Sequence, residues 1–129
     1  MITPGEANLI AFRDRTLRVQ IQLANESGPL DCTDFTNARA QIRDYPGAPG
    51  EPRASINDSS PNGNGGVITW IDKSTGTVEL LFTIGDWASF PKNRGGPTDY
   101  HWDFAMQEPG GDTNSYLLGI VPFHEVVTQ

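Results

Sequence analysis

Apolar and polar residues alternate through residues 16–24: Leu17, Val19, Ile21 and Leu23 are interleaved with Arg18, Gln20 and Gln22. Successive side chains of a strand point to opposite faces, so this segment predicts a strand with one buried and one wet face. The pattern returns in residues 36–43, where Ala38, Ala40 and Ile42 are expected inward. It returns again in residues 77–84, with Val78, Leu80, Phe82 and Ile84 facing the core. Residues 98–107 show it most clearly, with Tyr100, Trp102, Phe104 and Met106 on one face. Shorter runs at 7–12, 53–56, 67–71, 115–121 and 123–127 read as further strands, and Pro122 as a bulge or edge break.

Turn signals separate these runs. Asn25-Glu26-Ser27-Gly28-Pro29 and Asp58-Ser59-Ser60-Pro61-Asn62-Gly63-Asn64-Gly65-Gly66 are rich in residues that tolerate positive φ or end strand pairing. Residues 44–52 (DYPGAPGEP) cannot form a central strand, because proline lacks the N–H donor. Residues 85–90 (GDWASF) break the alternation. There Asp86 is placed to cap one helical turn, with Trp87 and Phe90 on its inner side. The whole predicts an all-β chain, a single antiparallel sandwich of roughly seven to nine strands with one short helical turn.

A chain of 129 residues suits one domain, taken as residues 1–129 with 1–8 as an N-terminal arm. The net charge of −7 would repel phosphate backbones, so no nucleic-acid partner is expected. Cys32 is the single cysteine, which excludes an intrachain disulfide and reads as a small packed residue. The first ten residues lack a basic stretch followed by a long apolar run, and no segment approaches the ~20 apolar residues of a membrane helix. The expectation is a soluble chain made in a cytoplasm, with no membrane partner.

The elements, in this order, resemble the immunoglobulin-like domains of phage tail and baseplate proteins similar to the N-terminal domain of phage baseplate upper proteins. Four pieces carry the resemblance: RTLRVQI at 15–21; GPLDCTDFT at 28–36 leading into ARAQIR at 38–43; GTVELLFTI at 76–84 with the helical turn after it; and YHWDF at 100–104 followed by a hairpin turn and a final strand. They extend from about Leu9 to Val127. The resemblance implies an immunoglobulin-like sandwich and a non-enzymatic virion part, in tail or baseplate. Such a part is assembled in the host cytoplasm and works as a homo-oligomer in a symmetric array with other virion proteins. A head-decorating protein and a carbohydrate-binding module for host-surface adhesion are the alternatives.

Assembly would run through strand edges, the arm and the loops. Met1 and Ile2 of the arm and Tyr45 and Pro46 of the proline-rich loop are the candidates for reaching a neighbour. Arg13, Arg15 and Arg18 either belong to a solvated strand face or pair with acidic patches on a partner. Trp87 and Trp102 are read as core; Trp70 is either core or an exposed platform for a sugar ring. Asp99, His101 and Asp103 share one face of a strand, but no second strand announces further ligands, and a solvated face is the expectation. The chain has no G-x-S-x-G, H-E-x-x-H, phosphate-binding loop or paired cysteines. No catalytic residue, metal or cofactor is expected.

Overall fold

The computed structural model describes residues 5–91 and 98–125. Its strands follow the alternation. In chain order they are β1 (Gly5–Glu6), β2 (Ala11–Phe12), β3 (Leu17–Gln22), β4 (Ala24–Asn25), β5 (Gly28–Pro29), β6 (Thr36–Arg43) and β7 (Ala54–Asn57), then β8 (Val67–Asp72), β9 (Thr77–Phe82), β10 (Thr98–Gln107) and β11 (Thr113–His124). Short 3-10 turns occupy Lys73–Thr75 and Ile84–Trp87. The first sheet runs β1-β11-β10-β6-β7, with β2 also on β11; the second runs β3-β9-β8; β4 and β5 form a separate hairpin.

This is the strand order of an immunoglobulin-like sandwich. Taking β3 as strand B, the second sheet reads B-E-D, and the first reads G-F-C-C′ from β11 to β7. The expected all-β, immunoglobulin-like architecture is therefore present. One part is not antiparallel: β1 and β2 both pair parallel with β11. Of the strand expected over residues 7–12 only Ala11–Phe12 is strand, whereas β1 lies ahead of it at Gly5–Glu6, so residues 5–8 of the expected arm are built into the sheet edge. Met1 to Pro4 lie outside the described residues.

Inward residues from both sheets fill the space between them. Ala38, Ala40 and Ile42 meet Val78, Leu80 and Phe82, with Trp102, Phe104 and Met106 beside them, all buried. At one end Trp87 stacks on Phe82, and Phe90 stacks on Phe123 with ring centroids 4.6 Å apart. Asp86 holds this end in place. Its carboxylate accepts hydrogen bonds from the backbone N–H of Thr83 and the side-chain amide of Asn62, both at 2.8 Å. The Asn62 side-chain oxygen in turn accepts from the N–H groups of Asn64 and Gly66, which shapes the glycine-rich loop.

Three local expectations are corrected. The helical turn begins at Ile84, ahead of Asp86, because Thr83 ends β9 and caps the turn with Asp86. That takes Ile84 out of the strand phase and leaves it 53% exposed rather than in the core. Pro122 makes no break, for β11 runs through it. The carbonyls of Leu118, Ile120 and His124 accept bonds from Ala7, Leu9 and Arg13, so this phase of β11 faces the N-terminal segment. The missing N–H of Pro122 falls on that side, and the ladder to β10 is intact. The irregularity of β11 lies instead at Tyr116, which has no partner on β10: Phe104 pairs with Leu117 and Ala105 with Ser115.

Candidate binding face

The wet phases of β6, β10 and β11 meet on the outer face of the first sheet. The register places Arg43, His101 and Ile120 in one cross-strand row. Ser55, Gln41, Asp103 and Leu118 form the next. Within the second row Gln41 donates to Ser55 Oγ at 3.3 Å, and Ser115, outside the rows, donates to Asp103 Oδ2 at 3.0 Å.

The loop of residues 44–52 rises at one side of this face. Arg43 Nη1 donates to the carbonyls of Ala48 and Gly50 at 3.1 and 2.9 Å, and Arg53 pairs with Asp44 at 2.8 Å. Held in this way, the loop brings Tyr45 and Pro46 over the rows. The result is an open groove of about 590 Å³ between Tyr45, Arg43, His101 and Asp103 on one side and Glu6, Asn8 and Leu118 on the other. Tyr45 is 54% exposed and Leu118 44%, so the groove carries an exposed aromatic and an exposed aliphatic side chain.

Glycine makes the far wall. A Cβ at Gly119 would overlap the carbonyl oxygen of Ala7 and lie 2.8 Å from Trp102 Nε1. With no side chain there, the N-terminal segment crosses β11 closely enough for the Trp102 indole N–H to donate to Ala7 O at 2.8 Å. The same segment supplies Asn8, whose side-chain oxygen accepts from the N–H of Ile120 at 3.0 Å.

The structure separates the predicted interaction residues. Tyr45 and Pro46 line the groove. Arg13 does not serve as a free surface cation. Its guanidinium donates to both carboxylate oxygens of Glu125, at 2.7 and 3.0 Å, and to the carbonyls of Trp87, Phe90 and Pro91. It also lies 5.0 Å from the Phe123 ring centroid. Bonding to Glu125 raises its pKa further and keeps it charged. Arg15 is exposed over the Phe12 ring, and Arg18 is exposed in an ion pair with Glu79 at 2.8 Å. The three arginines therefore do not form one patch.

Trp70 packs edge-on against Phe104 and donates its N–H to Asp58 Oδ2 at 3.0 Å. Ile68 and Trp70 are the inward phase of β8 and Ile71 is exposed, which corrects the platform reading of Trp70. His101 and Asp103 line the groove, but among the described residues no three acidic, histidine or cysteine groups converge as a metal set. Cys32 is buried, and burial pushes its thiol up to about 11, which makes it a poor nucleophile. Sequence reasoning missed Leu118, Ile120 and Glu6 as parts of the face. Their outward phase is visible only once the pairing of β11 with β10 and β1 is known.

No family model matches the chain, and no curated protein matches it. Among solved structures it is similar to murine CRIg, at 12% identity over 97% of this chain and 94% of that one, with a TM-score of 0.39. It is also similar to a VGSC beta subunit from a study of multimeric cell-adhesive interactions, at 11% identity over 95% and 96% of the two chains, TM-score 0.40. A third is an extracellular domain of the voltage-gated sodium channel beta4 subunit, at 12% identity over 98% of each chain, TM-score 0.38. The fold assignment rests on the strand order given above.

Proposed function

We propose that this chain is a non-enzymatic structural module of a bacteriophage virion, a tail or baseplate component that joins neighbouring subunits through the outer face of its first sheet. The observation that carries the reading is the groove beneath Tyr45. It combines an exposed aromatic, the exposed Leu118 and the charged groups Arg43, Glu6 and Asp103 on a stiff sheet. Aromatic and arginine anchors ringed by polar groups are the composition of protein–protein surfaces. The phage setting is supported by the four sequence pieces that resemble baseplate domains.

Cryo-electron microscopy of purified particles tests this. Symmetric density for the chain is expected, with the groove against another subunit; its position separates tail, baseplate and head. Tyr45→Ala combined with Leu118→Asp is expected to lower occupancy while the thermal transition stays in place. Absence of the chain from intact particles would end the reading.

A carbohydrate-binding role is favoured by one feature, the exposed Tyr45 ring beside the polar groups of Arg43, His101 and Asp103. Glycan-array binding that disappears in Tyr45→Ala would support it, and a silent array would count against it.

A further inference from the structure

The sandwich has four lateral edges, and three of them are closed or blunted. The β11 edge is covered by β1 and β2. The β7 edge is four residues long, and the Asn62 side-chain amide takes the Ser55 carbonyl at 2.9 Å. The β8 edge is interrupted by a register shift between Trp70 and Asp72. The β3 edge has none of these devices. It runs six residues, LRVQIQ, in unbroken register with β9 from Leu17↔Phe82 to Gln22↔Thr77, with no proline. In the immunoglobulin order the first strand lies beside B in this sheet. Here the N-terminal strands join β11, and among the described residues no strand flanks β3.

The direction of the free backbone groups follows from the ladder. Leu23 donates its N–H to Gly76 O, so the phase of Leu17, Val19, Ile21 and Leu23 is bonded toward β9. Arg18, Gln20 and Gln22 therefore direct their N–H and C=O groups outward, and all three are exposed. On the inner face Leu17, Val19 and Ile21 are only half-buried, although the matching residues of β9, Val78, Leu80 and Phe82, are fully buried. An unbroken six-residue edge with a half-covered apolar row is a template for another strand.

We propose that the occupant is a second copy of this chain, paired antiparallel along β3 with the two-fold axis through Gln20. In that register Gln20 faces its own counterpart, and Arg18 of each copy faces Gln22 of the other. Every outward N–H then meets an outward C=O. Val19 of each copy lies opposite Ile21 of the other and completes the apolar row. The charges fit this occupant: no two like charges are opposed across the junction, and each Arg18 keeps its Glu79. The contact is isologous and closes after two subunits. It deepens the assembly reading by naming one of its contacts.

Sedimentation velocity over a concentration series tests it, on the wild type and two variants. Gln20→Pro removes an outward N–H on the axis without touching the bonds to β9, a position proline tolerates. Gln20→Glu keeps every backbone bond and sets two carboxylates opposite each other. The wild type is expected to show a monomer–dimer equilibrium. Loss of the two axial bonds in Gln20→Pro should weaken it by about 30-fold or more. Gln20→Glu should weaken it at low salt and recover at high salt. Circular dichroism spectra are expected to stay like that of the wild type. A wild type that sediments as a monomer throughout would overturn the proposal, as would a dimer whose constant is unchanged in both variants. A monomeric wild type would leave the outer face as the assembly surface, whereas absence from particles would leave the dimer intact.

Discussion

The β11 edge and the β3 edge are both bordered by alternating strands, yet one is sealed and the other is open. At β11 the chain's own N-terminal segment lies in the seam. Ala7, Leu9 and Arg13 donate backbone N–H groups to Leu118, Ile120 and His124, and side chains rivet the segment at three points. Trp102 holds the Ala7 carbonyl, Asn8 holds the Ile120 N–H, and Arg13 holds Glu125 together with three carbonyls. At β3 the outward groups have only water to bond among the described residues. The difference shows what sealing an edge requires beyond a nearby strand. It needs a gap for close backbone approach, supplied by Gly119, and donors that reach across it.

The largest break in this contrast is expected from Gly119→Ala. A Cβ would collide with backbone at Ala7, which cannot move away as a flexible side chain could. Overpacking plus a lost indole bond should cost roughly 3 kcal/mol in urea denaturation. Faster trypsin cleavage after Arg13 should accompany it as the segment lifts; an unchanged midpoint would show that the seam is not tight. Arg13→Met should follow at about 2 kcal/mol, because it removes the guanidinium that bonds the Glu125 carboxylate and the carbonyls of Trp87, Phe90 and Pro91. Trp102→Phe keeps most of the buried ring and removes only the donor to Ala7, so roughly 1–2 kcal/mol is expected in the same assay. The smallest effect belongs to the open edge: Gln20→Pro should change monomer stability by about 0.5 kcal/mol or less, measured at a dilution where the wild type is monomeric. A large loss there would mean that the edge is already occupied within the chain.

The strands β3, β6, β9 and β10 are legible in the sequence because period-two alternation reports one buried and one wet face. The pairing of the N-terminal segment is not, since two-residue strands carry no periodicity. Gly119 does offer a signal, a lone glycine inside a strand, which often marks close backbone approach. Arg13 shows only its charge in the sequence, while its role is set by carbonyls more than 70 residues away in the chain. The groove is half legible. The proline-rich loop points to Tyr45 and Pro46, but Leu118 and Glu6 join them only through the register of β11 with β10 and β1.

Residue-resolved amide hydrogen exchange by NMR compares the two edges most directly. In dilute solution alternation is expected along β3, with Leu17, Val19 and Ile21 protected and Arg18, Gln20 and Gln22 exchanging fast. Along β11 both Ile120 and Val121 should be protected. Raising the protein concentration should slow Arg18, Gln20 and Gln22 and leave β11 as it was. Uniform protection along β3 at high dilution would mean that this edge is already covered, and fast exchange at Ile120 that the β11 edge is not sealed.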